Sequence, residues 1–276
     1  MTAARTATAA RPVTAVHVEE AGTAGPLLFC LHGIGSSSAA FAPQLDALSA
    51  HARVVAWDAP GYAKSSDPEE PLDLDGFADA AADVIRSYGE PAHVLGVSWG
   101  GVIALRLAAR HPELVASLIV ADSSAGSGTD PEKAAGMRAR VTELAEVGPR
   151  AFASLRGPRL VSPEAPTALV DRVVDTMAGS VRLPGYGYAA ESMAAADLRP
   201  ELSAVTAPTL VVCGDRDTVT GIEASQVLAG GLHKCAYVIV KDAGHLANQE
   251  QPERFNAWVL SHLHIVTASQ RTRSCL

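Results

Sequence analysis

No apolar run in the 276-residue chain approaches the roughly 18 residues that a membrane-spanning helix needs, so no membrane partner is expected. Basic residues are outnumbered: 22 Lys and Arg stand against 30 Asp and Glu, for a net charge of −8. Nucleic acid and anionic membrane surfaces both call for a basic patch, and this balance argues against either as the main partner. Cysteine is sparse. Cys30, Cys213, Cys235 and Cys275 show no C-x-x-C spacing, two of them fall in expected buried strands, and they read as reduced core thiols of a cytoplasmic protein. Cys275 is second from the end, so no prenylation motif exists. Residues 1–12 carry Arg5 and Arg11 but no apolar h-region, which argues against a secretory signal and reads as a disordered tail. No metal-ligand spacing and no dinucleotide fingerprint occurs, so neither metal nor cofactor is expected.

What is present is a long alternation of strand and helix signals. Hydrophobic residues make up 48% of the chain, ample for one α/β domain with an insertion. The organising stretch is His93–Gly101, HVLGVSWGG. Residues 93–97 read as a short buried strand, Gly96-Val97-Ser98-Trp99-Gly100 fits G-x-S-x-G, and residues 101–110 carry helical periodicity. A serine at the apex of a strand-to-helix turn is the context of a nucleophile elbow. Bulky residues at 96 and 100 would collide with the flanking strand and helix. The helix that follows directs free N–H groups at the place where an oxyanion would form.

Other segments fall in around it. Residues 13–20 alternate as an opening strand. LLFCL at 27–31 is apolar throughout, as a strand buried on both faces must be, and it runs into His32-Gly33-Ile34-Gly35 ahead of a helix near 39–50. A strand at 53–57 leads into Asp58-Ala59-Pro60-Gly61, a turn whose Asp58 is expected to bond backbone amides. Residues 73–88 show helical spacing, and 114–121 form a strand ending in Asp122. Between 126 and 198 the alternation stops: helical patterns at 131–147, 149–155, 163–178 and 186–195 are separated by Pro and Gly. Strands at 208–213 and 236–240 flank a helix at 222–232. A helix opened by Pro252 closes the pattern at 264.

These motifs together resemble the α/β-hydrolases, over residues 13–264. The resemblance implies a mostly parallel central sheet flanked by helices, with a helical cap inserted over the site. The boundaries expected are a tail at 1–12, a core at 13–126 and 198–266, a cap at 127–197, and a flexible tail at 267–276. It also implies a nucleophile, acid and histidine in the order Ser98, Asp217 (from Gly214-Asp215-Arg216-Asp217) and His245 (from Asp242-Ala243-Gly244-His245). Two carboxylates compete with Asp217: Asp215, which also reads as a cap of the following turn, and Asp122, since some members draw their acid from that strand. By the same resemblance the oxyanion donors are the backbone N–H groups of Ile34 and Trp99. Ala63 departs from the family's glycine in the loop after Asp58.

Ser98 in place of Asp excludes the dehalogenase and epoxide-hydrolase mechanisms. The runs Gly244–Pro252 and Tyr188–Arg199 are similar to 3-oxoadipate enol-lactonases, whereas Leu246 and Ser36-Ser37 depart from the carbon–carbon hydrolases of this fold. The expectation is therefore hydrolysis of a small carboxylic ester or lactone through an acyl-enzyme, without cofactor. The alternatives are carbon–carbon hydrolysis or cofactor-free haloperoxidase or perhydrolase chemistry on the same triad, and a non-catalytic ligand-binding member of the fold. Candidate contacts to a small-molecule substrate are His32, Gly33, Met137, Phe152, Met177, Tyr186, Tyr188 and Leu246, although His32 also reads as a structural residue bonded to backbone. A monomer or homodimer is expected. The cap arginines (Arg138, Arg140, Arg150, Arg156, Arg159, Arg172 and Arg182) are candidate partners of a substrate carboxylate, each with solvation at the surface as its default.

Overall fold

The strand Leu27–Leu31 is apolar at every position because both of its faces are covered. Leu27, Phe29 and Leu31 enter one hydrophobic cluster with Trp57, Phe77 and Ile103. Leu28 and Cys30 enter a second, with Phe41, Leu48 and Phe255. That two-sided burial is the consequence of a parallel sheet with helices on either face. The computed structural model describes residues 15–274. The expected tail over 1–12 lies outside them, as do Val13, Thr14, Cys275 and Leu276.

Seven strands form the sheet: β1 Val18–Ala21, β2 Leu27–Leu31, β3 Arg53–Trp57, β4 Ala92–Val97, β5 Val115–Ala121, β6 Thr209–Gly214 and β7 Cys235–Val240, in the spatial order β1-β3-β2-β4-β5-β6-β7. β1 is antiparallel to β3, and every other neighbouring pair is parallel. Helices α1 (Ala42–Leu48), α2 (Leu74–Tyr88) and α3 (Trp99–Arg110) alternate with the strands. α2 starts where Asp73 accepts a hydrogen bond from Gly76 N (2.8 Å), and it stops at Gly89, whose φ of 74° suits a residue without Cβ. Asp58 accepts from the amides of Ser38 (2.8 Å) and Lys64 (3.1 Å), so its carboxylate holds two loops together.

The stretch 127–197 holds α4 (Pro131–Arg156), α5 (Thr167–Ser180) and α6 (Gly185–Ala195) and no strand. The two helices expected at 131–147 and 149–155 are one run bent at Gly148, whose φ of 74° and ψ of 165° break the helical path just before Pro149. α7 (Gly221–Gly231) follows β6, and α8 (Ala247–Glu250) and α9 (Pro252–Ser274) end the described chain.

α9 corrects one expectation. The helix was expected to end at 264 and a flexible tail to begin at 267, yet the helix continues to Ser274. No Gly or Pro interrupts residues 253–274, and the hydroxyls of Thr267 and Ser269 bond back to the carbonyls of Leu263 (2.8 Å) and Ile265 (2.9 Å). An apolar stripe ending at Val266 was a poor guide to where the backbone stops. No helix among the described residues is long and apolar enough to cross a membrane.

A buried histidine gives the fold an acid sensitivity. His93 in β4 bonds Ser117 Oγ at 2.7 Å, and burial, aided by His262, lowers its pKa to about 4. The unfolded chain binds this proton near pH 6.5, so stability is complete above that value and is lost as pH falls from 6.5 towards 4. The loss from this residue between pH 7 and pH 5 is about 2 kcal/mol. We expect the melting temperature of His93→Asn to fall less over that interval than that of the wild type, in a calorimetric pH series. Equal slopes would assign the acid sensitivity to other groups.

Candidate active site

Ser98 joins β4 to α3 with φ 55° and ψ −119°, a conformation that costs a residue with a Cβ about 1–3 kcal/mol. Its surroundings leave no alternative. The Ser98 N–H donates to the Ala121 carbonyl (2.9 Å), and its carbonyl accepts from Gly101 N (2.9 Å) and Ser123 Oγ (2.7 Å). A Cβ on Gly96 would strike the Gly100 backbone, and one on Gly100 would strike the Leu31 carbonyl. Both glycines are therefore needed for α3 to fold back over the sheet.

The parallel strands carry the remaining groups to the same edge. His245, in the loop after β7, places Nε2 2.9 Å from Ser98 Oγ. Its Nδ1 lies 3.0 and 3.1 Å from the two oxygens of Asp217, in the loop after β6. Burial pushes the Asp217 pKa up, but His245, the Thr220 hydroxyl (2.6 Å) and the Val219 amide (2.8 Å) together hold it well below the ordinary range. An ionised Asp217 fixes the proton of His245 on Nδ1 and leaves Nε2 as the acceptor facing the serine hydroxyl.

Ser98 and His245 open onto a cavity of about 650 Å³. Ile34 and Trp99 also line it, and among the described residues neither backbone N–H meets an acceptor. A Cβ on Gly33 would stand 3.3 Å from Ser98 Cβ, so the two loops approach as closely as a glycine permits. Of the expected contacts, Gly33, Met137, Phe152, Met177, Tyr186 and Leu246 face this cavity.

His32 and Tyr188 do not, and each corrects an expectation. His32 is wholly buried; its Nε2 accepts from Ala59 N (3.0 Å), so Nδ1 donates to the Gly33 carbonyl (2.8 Å). Burial lowers its pKa to about 4 and keeps it neutral. It shapes the loop carrying Gly33 and Ile34 instead of meeting a ligand. Tyr188 packs against the core from the far side of α6, because two residues along a helix from Tyr186 is more than half a turn.

A profile described as the alpha/beta hydrolase family matches residues 28–258. The chain belongs to that family. This hydrolase-family chain is 29% identical to 3-oxoadipate enol-lactonase 1 of Acinetobacter baylyi over 83% of its length and 85% of the relative's. It is 32% identical to a provisionally named carbamate hydrolase, RutD, of Variovorax paradoxus, over 92% of its length and 97% of the relative's. Among solved structures, the enol-lactonase of Burkholderia xenovorans superposes with a TM-score of 0.81 at 26% identity, covering 93% of this chain and 99% of that one.

Three groups in this alpha/beta hydrolase escaped the sequence reading or gained a different role. Asp122, a competing acid, is fully buried and accepts from Gly214 N (2.8 Å) and Ala247 N (3.1 Å). It ties the Asp217 loop to the His245 loop without bonding the imidazole, and burial raises its pKa to about 7. Glu250 accepts from Gly244 N (2.8 Å) and Ser162 N (3.0 Å) and also from the Ser162 hydroxyl, joining the histidine loop to the cap. Thr220 holds Asp217 through a D-x-x-T turn, a local pattern that was visible in the sequence.

The two carboxylates therefore predict different variants. Asp217→Asn is expected to lower the hydrolytic kcat by about 10³- to 10⁴-fold, because it loses the tautomer lock. Asp122→Asn surrenders one accepted N–H bond and is expected to cost about 1–3 kcal/mol of stability with a far smaller kinetic effect. Steady-state rates and denaturant melts of both variants check this, and the reverse order would make Asp122 the acid.

Proposed function

We propose that the protein is a serine hydrolase of a small carboxylic ester or lactone that works through an acyl-enzyme. The observation that carries this reading is the hydrogen-bonded chain from Asp217 through His245 to Ser98, opening onto a cavity beneath the cap. In the proposed first step His245 Nε2 takes the hydroxyl proton as Ser98 Oγ bonds to the substrate carbonyl carbon. The oxyanion then lies against the N–H groups of Ile34 and Trp99, and the dipole of α3 adds to their effect. The C–O bond breaks and the departing oxygen takes the proton from His245. A water gives its proton to His245 and attacks the acyl carbon; Ser98 recovers the proton and the acid leaves. Asp217 stays ionised throughout and stabilises the imidazolium.

The resemblance to enol-lactonases, in sequence and in a solved structure, supports lactones or esters as the substrate class. Lactone opening needs only nucleophile, base and oxyanion donors. Carbon–carbon cleavage also needs a carbanionic leaving group to be stabilised. The carbamate reading of the Variovorax relative uses the same acyl transfer with nitrogen on the acyl carbon.

Ser98→Ala and His245→Ala are each expected to lower kcat/KM for p-nitrophenyl acetate by about 10⁴-fold or more, and the double variant little further, because triad members act as a unit. Retention of most activity by Ser98→Ala would exclude the mechanism. In a panel of five- and six-membered lactones, short esters, carbamates and vinylogous diketones, kcat/KM is expected to be highest for lactones or esters. A hundredfold preference for the diketones would select carbon–carbon hydrolysis instead.

A further inference from the structure

The charge of the cavity runs against that of the protein. Acidic residues outnumber basic ones 30 to 22 in the chain, yet Lys133, Arg140, Arg156, Arg159 and Arg199 line the cavity and, among the described residues, no Asp or Glu does. These side chains do not have equal freedom. Arg199 is paired with Asp197 (2.9 Å) and Lys133 stands 3.8 Å from Asp130, both well exposed. Arg156 is paired with Glu143 and lies over the Phe152 ring at 5.0 Å. Arg140 has no such partner: it is half-buried, stands beside the Tyr186 ring, and among the described residues meets no carboxylate.

The neighbours of Arg140 are fixed. Tyr186 is buried and packs edge-on against Phe152 at 5.3 Å, and Phe152 carries Arg156 on its face. The wall beside Arg140 is therefore rigid. Burial and the neighbouring charges of Arg156 and Arg159 disfavour its protonated form. A half-buried guanidinium with like charges beside it and no anion is costly, unless an anion arrives with the ligand.

We propose that the cap side of the cavity is a carboxylate subsite, in which Arg140, supported by Arg156 and Arg159, receives a carboxylate that the substrate carries apart from its scissile carbonyl. This inference rests on the ester or lactone hydrolase reading and narrows it to anionic substrates. Among the described residues Arg140 and the exposed Arg159 are the cavity guanidiniums without a carboxylate, and the planar fork of the half-buried Arg140 suits a carboxylate bound through both oxygens.

The test compares p-nitrophenyl hydrogen pimelate with p-nitrophenyl methyl pimelate, which differ only in the free carboxylate. The wild type is expected to favour the acid by about tenfold or more in kcat/KM, the scale of a charge-assisted hydrogen bond, with the preference weakening as salt is added. Arg140→Gln is expected to remove most of that ratio, chiefly through KM, and Arg140→Lys to keep part of it. Arg138→Gln, on the same helix but paired with Glu191 outside the cavity, is expected to leave the ratio where it was. A wild-type ratio near one, or a ratio that Arg140→Gln does not move, overturns the proposal. If neither ester is hydrolysed, the hydrolase reading fails, and calorimetry on Ser98→Ala decides the subsite separately. Tighter binding of monomethyl pimelate than of dimethyl pimelate, lost in Ser98→Ala/Arg140→Gln, supports it, and equal binding overturns it.

Discussion

The left-handed turn at Ser98 is the constraint on which the rest of the site depends. A side chain in that conformation persists only where its neighbours over-determine it. Here β4 enters the turn as a central strand, α3 leaves it over the sheet, and Gly96 and Gly100 allow the two to meet. The turn lifts Oγ clear of the sheet edge and aims the first N–H groups of α3 at the same space. His245 and Asp217 reach that space because their strands run parallel to β4. The geometry of three loops thus reduces to strand order and one strained residue.

The loops are braced from below and from above. Asp122 bonds an amide in each of the acid and histidine loops, while Glu250 bonds the histidine loop and the cap. These carboxylates meet no reacting atom in the proposed scheme. Both accept hydrogen bonds from backbone amides, which leaves the loop backbone little room to drift and keeps the Nε2 to Oγ distance at 2.9 Å. His32 does comparable work on the loop carrying Ile34, as a neutral ring bonded at both nitrogens.

Much of this was legible in the sequence, for a physical reason. The succession of strands and helices and the elbow at Ser98 are written in short local patterns, apolar runs and glycines where backbone approaches backbone, and the resemblance to the α/β-hydrolases supplied Asp217 and His245. What was not legible depends on facing. Tyr186 and Tyr188 look alike along the chain, and only the rotation of α6 buries one where the core meets the cavity and leaves the other half-buried away from it. Arg138 and Arg140 differ in the same way on α4. The positive wall of the cavity is assembled from a helix, the 3-10 turn after it and the distant Arg199, and the overall acidity of the chain conceals it. The end of α9 was missed because the apolar pattern of the sequence stops at Val266 while the helix runs on to Ser274.

The central claim is that Ser98 becomes acylated. The direct measurement is mass spectrometry of the wild-type protein, acid-quenched in the first milliseconds to seconds of mixing with p-nitrophenyl acetate and digested to peptides. The account predicts an acetyl group on Ser98 that appears with the nitrophenolate burst and decays as acetate is released. Turnover with no adduct, or with the acetyl group on any other residue, would contradict it.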